Sequence, residues 1–240
     1  MTAEDAYLAR QRFLVIAPHP DDESFGCAGT MARIKSLGGE VYVMVCSLGD
    51  LKHYDGKDGE VAGSTRAAEL EKVMEYLKVD DYDVLYRDAE THLRLDAIPR
   101  RDLIAKIERE SKLAYDRLKP TMIAIPVSSY NQDHDAVFRA AFTAARPGVR
   151  EIKPFQRIVL GYNNTSLFWS LEREKFHPNF YIDISDFLEH KLTALAMHQS
   201  QMRDEVHHSS VKNVEYAARI RGSEISVAAA EGYMVFRQVL

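Results

Sequence analysis

The stretch Phe13 to Thr30, FLVIAPHPDDESFGCAGT, places His19, Asp21, Asp22 and Glu23 directly after an apolar run. An imidazole and carboxylates this close together are the donor types of an N/O-ligated divalent cation. His19 and Asp22 are three residues apart, so a helical turn beginning after Pro20 brings both side chains to one face. One neutral imidazole, one carboxylate, a third donor from elsewhere and a position left for water form the pattern of catalytic rather than structural zinc. The same residues also suit an acidic helix start, where Asp and Glu complement the dipole and Pro is tolerated in the first turn. A second segment separates the two readings. Thr121 to Val127 (TMIAIPV) is another apolar run, and it ends in the polar turn Ser128 to Asp135 (SSYNQDHD), which carries Asp133 and His134. Two strand ends that each deliver a His beside Asp favour a shared metal site over two coincidental helix starts.

The elements that must position these residues follow from periodicity. Apolar runs at Phe13 to Ala17, Val41 to Cys46, Val84 to Tyr86, Met122 to Val127 and Ile158 to Tyr162 read as strands buried on both faces. Helical patterns fall between them at Ser24 to Leu37, Ser64 to Leu77, Ile98 to Leu118 and Ala136 to Ala145. This alternation predicts an α/β fold, a three-layer sandwich around a mostly parallel sheet. In such sheets ligands bind beyond the carboxyl ends of the strands, where both His-bearing turns would lie. The pattern loosens from about residue 163. There follow a short strand at Phe180 to Ile184, a helix at Ser185 to His198 capped by Ser185, a mobile polar loop at Gln199 to Asn213, and a terminal edge strand, GYMVFRQVL. No repeat or linker divides the chain, so residues 1–240 are expected to form one domain. Asp50 to Ser64, rich in Gly and Asp, reads either as a flap over the site or as a solvated connection; its acids lack calcium-loop spacing.

Bulk composition narrows the function classes. With 240 residues, 46% of them hydrophobic and 28% charged, the chain can bury a full core without disulfides. Cys27 and Cys46 form no CxxC pair and read as reduced core thiols, consistent with a cytoplasmic location. The first residues lack an apolar signal core, and no run reaches the ~20 apolar residues of a membrane span. A net charge of -5, without a clustered basic stripe, excludes nucleic acid as the expected partner and favours a small polar molecule. A homo-oligomer is compatible with all of this.

With HPDDE after one strand and Asp133-His134 after a later one, the chain resembles the PIG-L (LmbE-like) family of zinc-dependent N-acetylglucosamine-type deacetylases. GCAGT at Gly26 to Thr30, Arg66 with Glu69 in RAAEL, Asp88, KLTALAMHQSQ from Lys191 to Gln201 and AEGY from Ala230 to Tyr233 stand in family-like order, so the resemblance spans nearly the whole chain. It implies a Rossmann-like fold without a nucleotide, zinc held by His19, Asp22 and His134, and Asp21 as the base. Ferrous iron or cobalt would accept the same donor atoms. It further implies that Arg66 and Asp88 contact the sugar. His198, on the predicted helix near Gln201, reads either as a further lining residue or as a structurally satisfied helical His; Glu23, taken with Asp133 as orienting the ligands, reads equally as an acid of the helix start. One position departs from the pattern. Where the family carries a His three residues before the last ligand, this chain has Asn131, which donates a hydrogen bond but does not titrate. Oxyanion stabilisation could then survive at Asn131 while acid catalysis passes to Asp21.

The remaining histidines, His53, His92, His177, His190, His207 and His208, have no partner spacing and are expected at the surface, in loops or in the core. Tyr54, Tyr130 and Trp169 are candidates for stacking on a sugar face. The expected activity is hydrolysis of the acetyl amide of an N-acetylated amino sugar. The alternative of another class is a non-catalytic sugar or metabolite binding protein on the same scaffold. A nucleotide-binding module is disfavoured, because GCAG is not GxGxxG and carboxylates at the first strand end would repel phosphate. No GxSxG elbow supports a serine hydrolase.

Overall fold

The structure is a computed structural model, and it describes residues 2–52, 59–149, 151–167 and 176–239. Seven strands form one sheet: β1 (Arg12–Ala17), β2 (Glu40–Ser47), β5 (Asp81–Tyr86), β6 (Met122–Pro126), β7 (Ile158–Tyr162), β8 (Phe180–Asp183) and β9 (Ala230–Gln238), in the order β5-β2-β1-β6-β7-β9-β8. The first five strands of that order run parallel, and β9 is antiparallel to both of its neighbours. A separate two-residue ladder joins β3 (Leu51–Lys52) to β4 (Glu60–Val61). The expected α/β sandwich with a mostly parallel sheet is the fold this chain adopts.

Both faces of β1 are covered, which explains its unbroken apolar run. Phe13, Val15 and Ala17 enter one core layer with residues of α2 (Asp22–Ser36) and α3 (Gly63–Tyr76). Leu14 and Ile16 enter the opposite layer with α4 (Arg100–Ala105) and α6 (Gln132–Ala144). From β1 the chain winds outward to β2 and β5, then returns to β6 on the other side of β1. The strand order therefore reverses between β1 and β6, and a crevice opens beyond their carboxyl ends at this switch point. The turns bearing His19 and His134 leave from those two strand ends.

Several family-like segments converge in one buried network. Lys191, on α7 (Leu188–Met197), donates to Glu231 of β9 at 2.6 Å and to the carbonyls of Ser24 and Phe25 at 3.1 and 2.7 Å. Glu231 in turn accepts the backbone N–H groups of Gly29 and Thr30, and the Tyr233 hydroxyl donates to Thr30 Oγ1 at 2.7 Å. GCAGT, KLTAL and AEGY thus lock α2 onto the sheet. Gly26 completes the fit, since a Cβ there would stand 2.2 Å from the Tyr162 ring.

Four sequence expectations need correction. The terminal strand is not an edge: β9 lies between β7 and β8 and pairs with both. Residues 98–118 do not form one helix. After α4 the backbone widens into a π turn at Lys106–Glu110 and breaks at Ser111, whose hydroxyl donates to Asp83 at 2.6 Å, before the short helix α5 (Tyr115–Leu118). Ser185 does not cap α7; its oxygen bonds Asp183 and accepts the N–H groups of Ala228 and Ala229. Finally, the polar stretch to Asn213 contains the start of an unforeseen helix, α8 (Val211–Ser223), capped by Ser210. Among the described residues no helix is long and apolar enough to cross a membrane.

Candidate active site

Beyond β1, Asp21 occupies the position before α2 with φ 115 and ψ -31, a region that a side chain other than Gly enters at a cost of about 1–3 kcal/mol. The Glu23 carboxylate holds this bend by accepting the Asp21 N–H at 3.0 Å. Asp21 makes no capping bond, so its own carboxylate is not spent on the helix and lines the cleft. Asp22 is used differently. Its Oδ2 accepts the His19 N–H at 3.0 Å and lies 3.5 Å from His19 Nδ1, while Oδ1 lies 3.3 Å from His134 Nε2.

His134 reaches Asp22 because α6 begins four residues earlier than its apolar periodicity indicates. Asn131 caps it, its side-chain oxygen accepting the N–H groups of Asp133 and His134. Asp133, fully buried, accepts from the Leu95 N–H at 2.9 Å and meets His19 Nε2 at 2.7 Å. That carboxylate favours the tautomer with the proton on Nε2 and turns Nδ1, as a lone-pair donor, toward Asp22 and His134. One ligand atom from each of His19, Asp22 and His134 can be chosen so that all lie within 4.8 Å of one another, and all three residues are buried. Two imidazoles and a carboxylate fit a divalent cation of the zinc type by donor chemistry.

Electrostatics agree with that fit. Burial works against the charge on Asp22, but His134 and His19 hold its carboxyl well below the usual range. Burial also opposes the His19 imidazolium, yet hydrogen bonds to Asp133 and Asp22 outweigh it and raise the imidazole to about 9. A cation needs this imidazole neutral, so metal and proton compete. Below about pH 9 the His19 proton must leave, which predicts release of about one proton from His19 per metal bound near neutral pH and affinity that rises with pH. Calorimetric titration in buffers of differing ionisation enthalpy measures this; a buffer-independent heat would contradict it. Burial, with the Asp22 charge alongside, pushes the Asp21 carboxyl up to about 7, whereas a cation held by Asp22 acts in the opposite direction.

The sequence-predicted residues do not all meet here. His19, Asp21, Asp22, Arg66, Asn131 and His134 line one cleft of about 450 Å³, with Glu23 and Asp133 behind them. Asp88 does not reach it. The Asp88 carboxylate is exposed and accepts the Thr91 N–H at 2.8 Å, closing the turn that carries His92. His198 does not line the cleft either: it is 1% exposed and its Nε2 lies 2.8 Å from the Glu23 carboxylate, behind the cleft wall. Tyr130 is exposed outside the cleft lining. Tyr54, His53 and Trp169 lie outside the described residues.

Other residues enter the site without an obvious signal in the sequence. Asn164, just beyond β7, donates to Asp22 Oδ1 at 2.7 Å. His92 packs its ring edge-on to His19 with centroids 5.6 Å apart and lies 2.8 Å from Arg66. Burial, then the Arg66 and His19 charges, push His92 down to about 4, so it is neutral. The segment predicted as a mobile loop contributes Gln201, Arg203, His207, His208 and Ser209 to the cleft wall. Glu69 anchors it by accepting from the Ser200 N–H and hydroxyl at 2.8 and 2.6 Å.

Fold and site together define an α/β protein with a candidate divalent-metal centre at the switch point of its sheet. The chain belongs to the PIG-L (GlcNAc-PI de-N-acetylase) family, whose model matches residues 14–145. It is 29% identical over 213 residues to a probable N-acetyl-alpha-D-glucosaminyl L-malate deacetylase of Bacillus cereus, covering 85% of this chain and 90% of that relative. It is 23% identical over 211 residues to the diacetylchitobiose deacetylase of Thermococcus kodakarensis, covering 82% of this chain and 72% of that protein. Its structure matches that of a conserved protein from Thermus thermophilus with a TM-score of 0.74 at 24% identity, over 96% of each chain, a likeness of fold. The relatives named for an activity here are deacetylases of N-acetylated sugars.

Proposed function

We propose that this chain is a zinc-dependent hydrolase that removes acetyl from an N-acetylated amino sugar, a glycoconjugate, nucleotide sugar or glycoside. The observation that carries the reading is an uncommitted carboxylate, Asp21, facing the cleft beside the His19, Asp22 and His134 donors. Family membership and the relatives' activities support it. His19, Asp22 and His134 would hold the cation, which when bound supplies an acidified water and polarises the amide carbonyl. Asp21 takes the proton of the attacking water and returns it to the amine nitrogen as the C–N bond breaks, so acetate and a free amine leave. Arg66 faces the sugar, and Asn131 offers its amide N–H to the developing oxyanion, since its carbonyl oxygen is occupied by the cap. The unpaired buried Cys27 and Cys46 support work in a reducing compartment such as the cytosol, by a single domain.

The cap role changes how Asn131 must be tested. Asn131→Ala removes both functions, and loss of the cap alone costs about 1 kcal/mol of stability. Asn131→Ser keeps a capping oxygen but loses the amide donor. It is expected to retain the melting temperature and lose about 10- to 100-fold in kcat with little change in KM, a smaller effect than loss of a full oxyanion donor in a site without a cation. An unchanged kcat would assign Asn131 to the cap alone. The function itself is tested by acetate release from N-acetylglucosamine, diacetylchitobiose and N-acetylglucosaminyl conjugates, with metal-loaded and chelated protein. Acetate from at least one substrate, abolished by chelation and restored by zinc, is expected; none from any member of the panel would overturn the proposal.

A further inference from the structure

Arg66, on α3, is 3% exposed yet lines the cleft, and its Nε has no hydrogen-bond partner among the described residues. The hydrogen bonds of the guanidinium among the described residues are made by Nη1 alone, so donors of the same group at the edge of the cleft stay available to a ligand. What holds the guanidinium there is Nη1, which donates to the Gly49 carbonyl at 3.2 Å and meets His92 Nε2 at 2.8 Å. Arginine has only donors, so His92 Nε2 must be the acceptor and the ring proton must sit on Nδ1. Nδ1 lies 3.2 Å from the Ser47 hydroxyl, at the carboxyl end of β2, which can take that proton in a hydrogen bond. Ser47, His92 and Arg66 therefore form a directed chain running from the sheet to the cleft. Gly49 makes room for it, because a Cβ at that position would stand 2.8 Å from His92 Cβ.

We propose that His92 is a positioning residue for substrate recognition, holding Arg66 so that its spare N–H meets an acceptor oxygen of the sugar. The inference rests on the cleft being the deacetylase site. The ring of His92 also touches His19, so its replacements must separate the two contacts. His92→Phe keeps an aromatic edge against His19 and removes the acceptor for Arg66. His92→Gln restores an acceptor near the Nε2 position.

Zinc-loaded enzyme is assayed on N-acetylglucosamine and diacetylchitobiose, alongside Arg66→Ala and the double variant His92→Phe with Arg66→Ala. His92→Phe is expected to raise KM about tenfold, the size of one charge-assisted hydrogen bond, with kcat and zinc content little changed. His92→Gln recovers most of that loss, and the double variant is no worse than Arg66→Ala, because the two residues act as one unit. Additive losses in the double variant, equal losses in both His92 variants, or departure of zinc from His92→Phe would overturn the assignment. Crystal structures of the two His92 variants give a readout apart from turnover. Arg66 should leave its place in the Phe variant and keep it in the Gln variant, and an unmoved Arg66 in both overturns the proposal. Absence of acetate from wild-type enzyme would strike the deacetylase reading, while those structures still decide the role of His92.

Discussion

Asp21→Asn is expected to lower turnover by ~10²- to 10⁴-fold while the metal stays bound, the range for loss of a general acid–base group. The substitution is close to isosteric, and Asn is among the residues that best tolerate a positive φ, so the strained bend at φ 115 should survive. The anchor of that bend, Glu23 against the Asp21 N–H, is a backbone contact and is untouched by the change. Asp21 is not one of the three clustered donors, and its side chain caps nothing. In the proposed mechanism, what the variant loses is the ability to accept a proton from water and deliver it to nitrogen. Asn131, the cap of α6, does not titrate and so does not replace it. Steady-state acetate release together with metal content measures the outcome; near-normal turnover would remove Asp21 from the chemistry.

His134→Ala and Asp133→Ala, one residue apart, are expected to separate direct ligation from ligand orientation. His134→Ala deletes one of three donors and should leave protein that does not keep zinc through gel filtration. Asp133→Ala leaves all three donors present but frees His19 Nε2, which it holds at 2.7 Å, and should weaken zinc affinity by about 10- to 100-fold. Because Asp133 is fully buried and also accepts the Leu95 N–H, the variant should lose about 1–3 kcal/mol of stability as well. Competition with a chromophoric chelator reads both effects. Equal affinities for wild type and Asp133→Ala would mean that His19 is oriented by something else.

The strand ends that carry the site are legible in the sequence because β1 and β6 are buried on both faces, and a doubly covered strand is an unbroken apolar run that stops abruptly at its polar turn. The same physics hides other parts. Asp88 has the residue type of a sugar ligand, but whether a carboxylate after β5 turns toward the cleft or closes its own turn is decided by three-residue geometry that spacing does not encode. His198 and His92 reverse each other's expected places. His198 lies in a family-like segment and is consumed by the buried Glu23, whereas His92, with no recognisable spacing, stands against His19 and Arg66. Both outcomes depend on contacts between residues far apart in sequence. Asn164 and the wall from Gln201 to Ser209 are hidden for the same reason: they approach the site from the end of β7 and from the segment between α7 and α8. The family-like segments GCAGT, KLTAL and AEGY are legible as a set, yet their shared purpose, a buried Lys191–Glu231 lock on α2, emerges only in three dimensions.

The central claim is that two histidines and one aspartate from different strand ends hold a single divalent cation. Anomalous diffraction at the zinc edge from zinc-soaked crystals tests it most directly. One strong peak bonded to His19 Nδ1, a carboxylate oxygen of Asp22 and His134 Nε2 is the expected result. A zinc peak bound elsewhere, with these three side chains unliganded, would contradict it.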